Sequence, residues 1–311
     1  MPLILTALTR KYVVQVGDRL VTAAQRVFDS RANKMIIYRS RDAIVTIGYS
    51  GLAFCGGRPT DQWIAETISG ESQLSGIALC DLCTYNNKDL GLAILDLHKS
   101  LHDLASNRSL EWMMPIEICI SGWHWKKRLA RPTAIILRKS RNSGVINFIK
   151  LDRHWLRERS FHVLDTGGWI FNSNENIKLL KTVTMPIFLR GGTSGEMESA
   201  LCDIIRQISL STPGIGRDFM SVQIPTPPGD VLVRYLIDGY TKPQIDSNTQ
   251  EYYSPFIVGR EKILGPAATT VGATLCTGGI NIKIQVPHDN SGMTRRYFLE
   301  GQDRPSYPSR K

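Results

Sequence analysis

Apolar residues gather in short runs along the N-terminal half of the chain. Leu3–Leu8 and Tyr12–Val16 read as two strands, and Lys34–Tyr38 and Ala43–Tyr49 as a second pair. Glycines between Gly51 and Gly57 mark a turn, after which Thr60 is placed to cap a helix through DQWIAETI. A longer helix over residues 88–105 lines up Leu90, Ile94, Leu97, Leu101 and Leu104 at spacings of three and four. The period then shortens. Ile116–Trp125, Thr133–Leu137 and Val145–Leu151 read as strands, the last two joined by a turn at Arg141–Gly144.

Met185–Leu189 reads as a strand leading through GGTSG into a helix over Glu196–Ile208. A TPGIG link follows, then a strand over Phe219–Ile224. Strands and helices thus fall in separate blocks, which favours an α+β fold over alternating βαβ units. Past PTPPGD, strand-like runs at Val231–Ile237, Phe256–Val258 and Ile280–Val286 suggest a β-rich extension over residues 226–286. The polar, proline-bearing stretch 287–311 is expected to be a loose tail.

Composition narrows the class. The chain has 311 residues, 42% hydrophobic and 21% charged, as in a soluble globular protein. No run approaches the ~18 apolar residues of a membrane span, and MPLILTALTRK lacks a basic lead, so neither a membrane segment nor a signal peptide is expected. Six dispersed cysteines read as reduced core residues, and the cytoplasm is the expected location. The net charge of +10 is concentrated: residues 126–159 hold eleven Lys or Arg against Asp152 and Glu158, a net +9, leaving +1 for the rest.

The acid Asp18 ends one apolar run, and the base Lys34 opens another sixteen residues on. Adjacent strands joined this way can bring both side chains to one end of a sheet, where the ammonium can act on a neighbouring amine. The structural alternative is an ion pair without chemistry. An apolar strand ending in Asp18-Arg19, then Lys34, then GYSGLAFCGG and TDQWIAETI, resembles the N-terminal part of proteasome-type β subunits in the N-terminal nucleophile (Ntn) hydrolase superfamily. The resemblance is most specific over residues 2–70 and extends, through GGTSG and the link before FMSVQI, to residues 185–225.

That resemblance implies a four-layer αββα sandwich of two antiparallel sheets over residues 1–225, homo-oligomerisation, and a peptide substrate. In the family an N-terminal threonine is the nucleophile, its own amine the base, and the lysine tunes that amine. Carried over, Asp18 and Lys34 are the polar pair, Gly51 the nearest match to the oxyanion turn, and Ser194 the accessory hydroxyl. Ser209 and Ser211 are further candidate hydroxyls after the helix. The nucleophile position, sixteen residues before Asp18, is Pro2, which has neither hydroxyl nor thiol. Thr6, twelve residues before Asp18, would serve only if the residues ahead of it were cleaved away. The resemblance therefore implies an inactive or altered subunit, with no cofactor.

Two other constellations compete. Cys80, Cys83, His98 and His102 have the spacing C-x₂-C-x₁₄-H-x₃-H, which suits a tetrahedral zinc site. The alternative is core cysteines with histidines flanking an amphipathic helix. The basic segment has Trp123, Trp125 and Trp155 near its charges, an interleaving that would suit nucleic acid or another polyanion. The alternative is a solvated or subunit-contact face. No GxSxG, HExxH or Walker motif is present.

Overall fold

Among the described residues, two large sheets and four helices form the body of the fold. The computed structural model describes residues 3–23, 26–29, 32–70, 82–83, 88–106, 116–126, 129–139, 146–150, 161–166, 174–227, 231–236, 244–245, 252–253, 268–271, 274–278, 281–285 and 293–297. In chain order the sheet strands begin with β1 (Ile4–Leu8), β2 (Tyr12–Asp18), β3 (Met35–Arg39), β4 (Ala43–Gly51) and β5 (Leu82–Cys83). Next come β6 (Ile116–Lys126), β7 (Leu129–Lys139), β8 (Ile146–Lys150), β9 (His162–Thr166) and β10 (Phe219–Pro225). Last are β11 (Val231–Leu236), β12 (Ala268–Val271), β13 (Thr274–Gly278), β14 (Asn281–Gln285) and β15 (Met293–Tyr297). The helices are α1 (Thr60–Ser69), α2 (Leu90–Ser106), α3 (Asn174–Leu189) and α4 (Ser194–Ser209).

The first sheet runs β9-β1-β2-β10-β11-β14-β13, antiparallel throughout. The second runs β8-β7-β6-β4-β3-β12-β15-β5, with one parallel pairing, β12 on β3. Strands from beyond residue 226 thus enter both sheets, and β15 falls in the stretch expected to be a loose tail.

Every residue of β1 and β2 is buried, because both faces of the first sheet are covered. Leu3, just ahead of β1, and the odd positions Leu5 and Ala7 within it pack with α3 and α4, alongside Leu180, Leu201 and Ile205. Even positions (Ile4, Leu8) meet Met35, Ile37 and Trp123 of the second sheet. The second sheet's outer face (Ile36, Tyr38, Val45, Ile47, Ile118) packs on Ile64, Ile68, Leu97 and Leu101 of α1 and α2. Burying each such aliphatic side chain contributes on the order of 1.5–3 kcal/mol.

A polar cluster interrupts the apolar seam between the sheets. The Gln15 amide donates to Thr6 Oγ1 (3.0 Å) and Ser121 Oγ (3.2 Å), and its carbonyl accepts from Thr46 Oγ1 (3.1 Å). All four side chains are fully buried. Gly48 makes room for it, since a Cβ there would lie 2.5 Å from Gln15 Oε1.

Three sequence expectations change. Met185–Leu189 is the last turn of α3, not a strand: Leu180, Thr184 and Ile187 form its buried face despite Pro186. GGTSG therefore joins two helices, and Thr193 forms a capping box with Glu196. Thr60 is the first residue of α1 and not its cap; Pro59 holds the cap position, and Thr60 Oγ1 donates to Leu52 O (2.8 Å). The expected strand Phe256–Val258 and the turn Arg141–Gly144 lie outside the described residues.

Candidate active site

β2 ends at Asp18 and β3 begins one residue after Lys34, so the intervening segment returns to the same end of the molecule. The side chains meet: Lys34 Nζ lies 3.2 Å from Asp18 Oδ2, with 1% and 0% of each side chain exposed. Asp18 Oδ1 accepts from the backbone N–H of Leu3 (2.6 Å), and Oδ2 also accepts from Leu20 N (3.1 Å) and Gly216 N (3.0 Å). Lys34 Nζ also donates to the Leu20 carbonyl. Charge-assisted hydrogen bonds of this kind are geometrically demanding and fix the ammonium in place.

The surrounding chain is braced by backbone contacts. Asp18 N donates to Leu3 O (3.1 Å), Arg19 N to Asp218 O (3.0 Å), and Tyr49 N to Lys34 O (3.2 Å). Asn33 Nδ2 donates to Asp61 Oδ2 (3.3 Å) in the first turn of α1, and Tyr49 OH donates to Asn33 O (2.8 Å). Gly216 must be small: a Cβ there would lie 2.7 Å from Leu20 Cβ and 3.4 Å from Asp18 Oδ2. Sequence reasoning passed over Leu3, Leu20 and Gly216 because they act through their backbones. The glycine of TPGIG was the one readable sign.

The other sequence candidates divide. Gly51 has a positive φ of 97° at the end of β4, two residues past Tyr49, and so lies at the Lys34 end of the second sheet. Ser194 does not join the pair. Its GGTSG turn lies beside Lys11 at the other end of β2, about 20 Å away along a seven-residue strand. It is the C-terminal end of α4 that leads, through residues 210–216, to Asp18. There the Ser209 and Ser211 hydroxyls donate to Arg206 O (2.7 Å) and Ile208 O (3.2 Å), turned onto the helix.

Thr6 is also set apart. It is 1% exposed in the middle of β1, paired on both sides and bonded to Gln15, and cleavage ahead of it would remove the buried Leu3, Ile4 and Leu5. Pro2 lies outside the described residues.

Of the candidate zinc set, His98 and His102 lie in α2. Cys83 lies in β5 at one edge of the second sheet, three strands from β3, whose Tyr38 OH donates to Lys88 O at the start of α2 (3.4 Å). Cys80 lies outside the described residues. Among the described residues no group of three or more His, Cys, Asp or Glu is disposed to hold a metal. Cys55, Cys119 and Cys202 are buried, and burial, reinforced by Glu198, pushes the Cys202 thiol well up.

Within the basic segment, Trp123 is a core residue, 1% exposed, with Nε1 donating to Ile224 O (3.1 Å). It cannot stack on a base. Trp125 lies under the Arg39 guanidinium, 4.4 Å from the ring centre. His124 pairs with Asp42 (3.0 Å) and Arg138 with Glu117 (2.8 Å). Trp155 lies outside the described residues.

No family model and no curated protein matches the chain. Among solved structures it is similar to an Anbu (Gly-1) mutant from Hyphomicrobium sp. strain MC1, with a TM-score of 0.47 and 11% identity over 72% of this chain and 82% of that one. Anbu (ancestral beta-subunit) from Yersinia bercovieri gives 0.45 and 11%, over 72% and 81%. Eukaryotic HslV from Trypanosoma brucei gives 0.39 and 14%, over 72% and 99%. No helix among the described residues is long and apolar enough to cross a membrane.

Proposed function

We propose that this chain is a proteasome-like, four-layer αββα protein of Ntn-hydrolase ancestry that keeps the polar pair but not the usual nucleophile. On this reading it is a non-hydrolysing member of a homo-oligomer. The buried Asp18–Lys34 pair at the end of β2 and β3 carries the proposal. An immobilised ammonium there suits the lowering of a neighbouring amine's pKa and the stabilisation of negative charge on a reacting oxygen. Gly51, at the same end, suits the oxyanion turn.

What the family's nucleophile position lacks is an atom to attack a carbonyl. The residue sixteen before Asp18 is proline, which offers no side-chain nucleophile. Thr6 does not replace it, because it is locked in the seam between the sheets.

Intact-mass measurement and N-terminal sequencing of the purified, untagged protein test the proposal, together with incubation with a peptide vinyl sulfone that labels N-terminal threonines. The expected result is a chain starting ahead of Thr6, unlabelled, with a native mass above that of the 34.8 kDa protomer. A chain starting at Thr6, or a covalent adduct, overturns the reading of inactivity. A monomer overturns the assembly.

A further inference from the structure

The outer face of the first sheet becomes polar where α4 crosses it. Phe219 of β10 and Leu236 of β11 pack with the helices, whereas Met220, Val222, Ile224, Val231 and Val233 face the seam. Alternation along the two strands therefore sets Ser221, Gln223, Leu232 and Arg234 on the helix side. Contacts bear this out for the middle pair. Ser221 and Arg234 are cross-strand partners, and both reach Glu198 of α4: the Ser221 hydroxyl donates to Oε1, and Arg234 Nη1 donates to Oε2 (2.7 Å). Glu198 is fully buried while Arg234 is 28% exposed, so the cluster opens to solvent through the arginine.

Two buried donors here have no acceptor among the described residues: Arg234 Nε and Gln223 Nε2. Gln223 is 4% exposed and stands opposite Leu232, diagonal to Arg234, a separation of about 7–8 Å that long side chains span. Arg234 spends Nη1 on Glu198. Its Nε–H lies on the other edge of the guanidinium, beside Nη2, and that edge is the planar fork that fits the two oxygens of a carboxylate. A buried donor without an acceptor costs stability, so two of them on one face call for an acceptor group from outside.

We propose that Arg234 and Gln223 form a binding site for a single carboxylate carried on a short apolar group. The carboxylate takes the Arg234 fork and the Gln223 amide, and the apolar group rests on the half-buried Leu232. The surroundings select among anions. Glu198 already faces Arg234, and on the same helix Asp203 pairs with Arg206 (2.6 Å), so the cluster accommodates one further negative charge better than two. A phosphate dianion would set its second charge against Glu198. A free monocarboxylic acid and the C-terminus of a peptide ending in an aliphatic residue share the chemistry that fits.

The proposal does not rest on the reading of Asp18 and Lys34, and isothermal titration calorimetry of the full chain tests it. The probes are butyrate, a tripeptide ending in leucine, the same tripeptide amidated at its C-terminus, and inorganic phosphate. Butyrate or the free-acid peptide is expected to bind, and the tighter of the two identifies the source; the amide and phosphate are not expected to bind. Arg234→Lys keeps a cation beside Glu198 but loses the fork, and should lower the affinity at least about tenfold. Gln223→Leu should lower it several-fold with the melting temperature unchanged or raised, because the donor it removes has no partner among the described residues. No binding of either acid, as for a site that holds an ordered water only, would overturn the proposal. So would equal binding of the amidated peptide, tighter binding of phosphate, or affinities that both substitutions leave unaltered.

Discussion

Replacing Lys34 with methionine removes the cation that lies 3.2 Å from Asp18 in a fully buried setting. Breaking a buried pair costs about 3–5 kcal/mol, because the partner charge is left without compensation. Here the carboxylate keeps three backbone donors, from Leu3, Leu20 and Gly216. That places Lys34→Met at the low end, about 3 kcal/mol. Asp18→Asn is worse, about 4–5 kcal/mol. It takes the carboxylate away from a buried ammonium and turns an amide NH₂ toward groups that donate. Replacing both strands no charge, so the double variant should recover about 2 kcal/mol relative to the sum of the singles. Urea unfolding followed by tryptophan fluorescence and far-UV circular dichroism measures all four proteins. A Lys34→Met cost below about 1 kcal/mol, or strict additivity, would show that the pair is not energetically coupled and that its burial has been misread.

Three further outcomes are expected. Gly216→Ala forces a methyl to 2.7 Å from Leu20 Cβ and should cost about 1–3 kcal/mol, read as a lowered melting temperature; an unchanged melt would mean that the loop is not held against Asp18. Gln15→Leu removes the amide that satisfies Thr6, Ser121 and Thr46, and should cost about 2–3 kcal/mol in urea unfolding. Although burial opposes it, hydrogen bonds from Leu90 N, Ser40 and His124 hold the Asp42 carboxyl below the usual aspartate range. A depressed folded-state pKa gives stability that is present above the unfolded value and is lost as pH falls through the folded one. Asp42→Asn should therefore flatten the stability profile below about pH 4 and leave its shape near neutrality unchanged; equal acid limbs for variant and native protein would count against the cap.

The strands that flank the candidate site were readable as apolar runs, and the sixteen-residue spacing of Asp18 and Lys34 pointed to a meeting that the structure shows. Less was readable wherever backbone does the work. The amides of Leu3, Leu20 and Gly216 leave no side-chain signature, so three of the four described donors to Asp18 were invisible. α3 was missed because its last turn, MPIFL, carries proline and apolar residues that mimic a strand, while its helical face rests on the widely spaced Leu180, Thr184 and Ile187. That error had a consequence. With one helix in place of two, the GGTSG turn was taken to approach the site, when the path through α4 sets Ser194 at the far end of β2. Trp123 and Trp125 were misjudged for a related reason: interleaving with Lys and Arg shows charge along the chain but not which face of β6 each ring occupies.

The Gln15 cluster bears on how the two sheets find each other. Apolar faces attract one another at many offsets, and sliding one sheet along the other by two residues would again set aliphatic side chains against aliphatic side chains. Such a slip would also strand the Gln15 amide and the Thr6, Thr46 and Ser121 hydroxyls in a dry interior, a cost of several kcal/mol. The cluster thus acts as an alignment key. It makes the correct offset the one in which every polar group is answered, and it steepens the landscape against near-native misdockings. Replacing it with leucine and valine could yield a chain that still collapses but no longer settles into one arrangement.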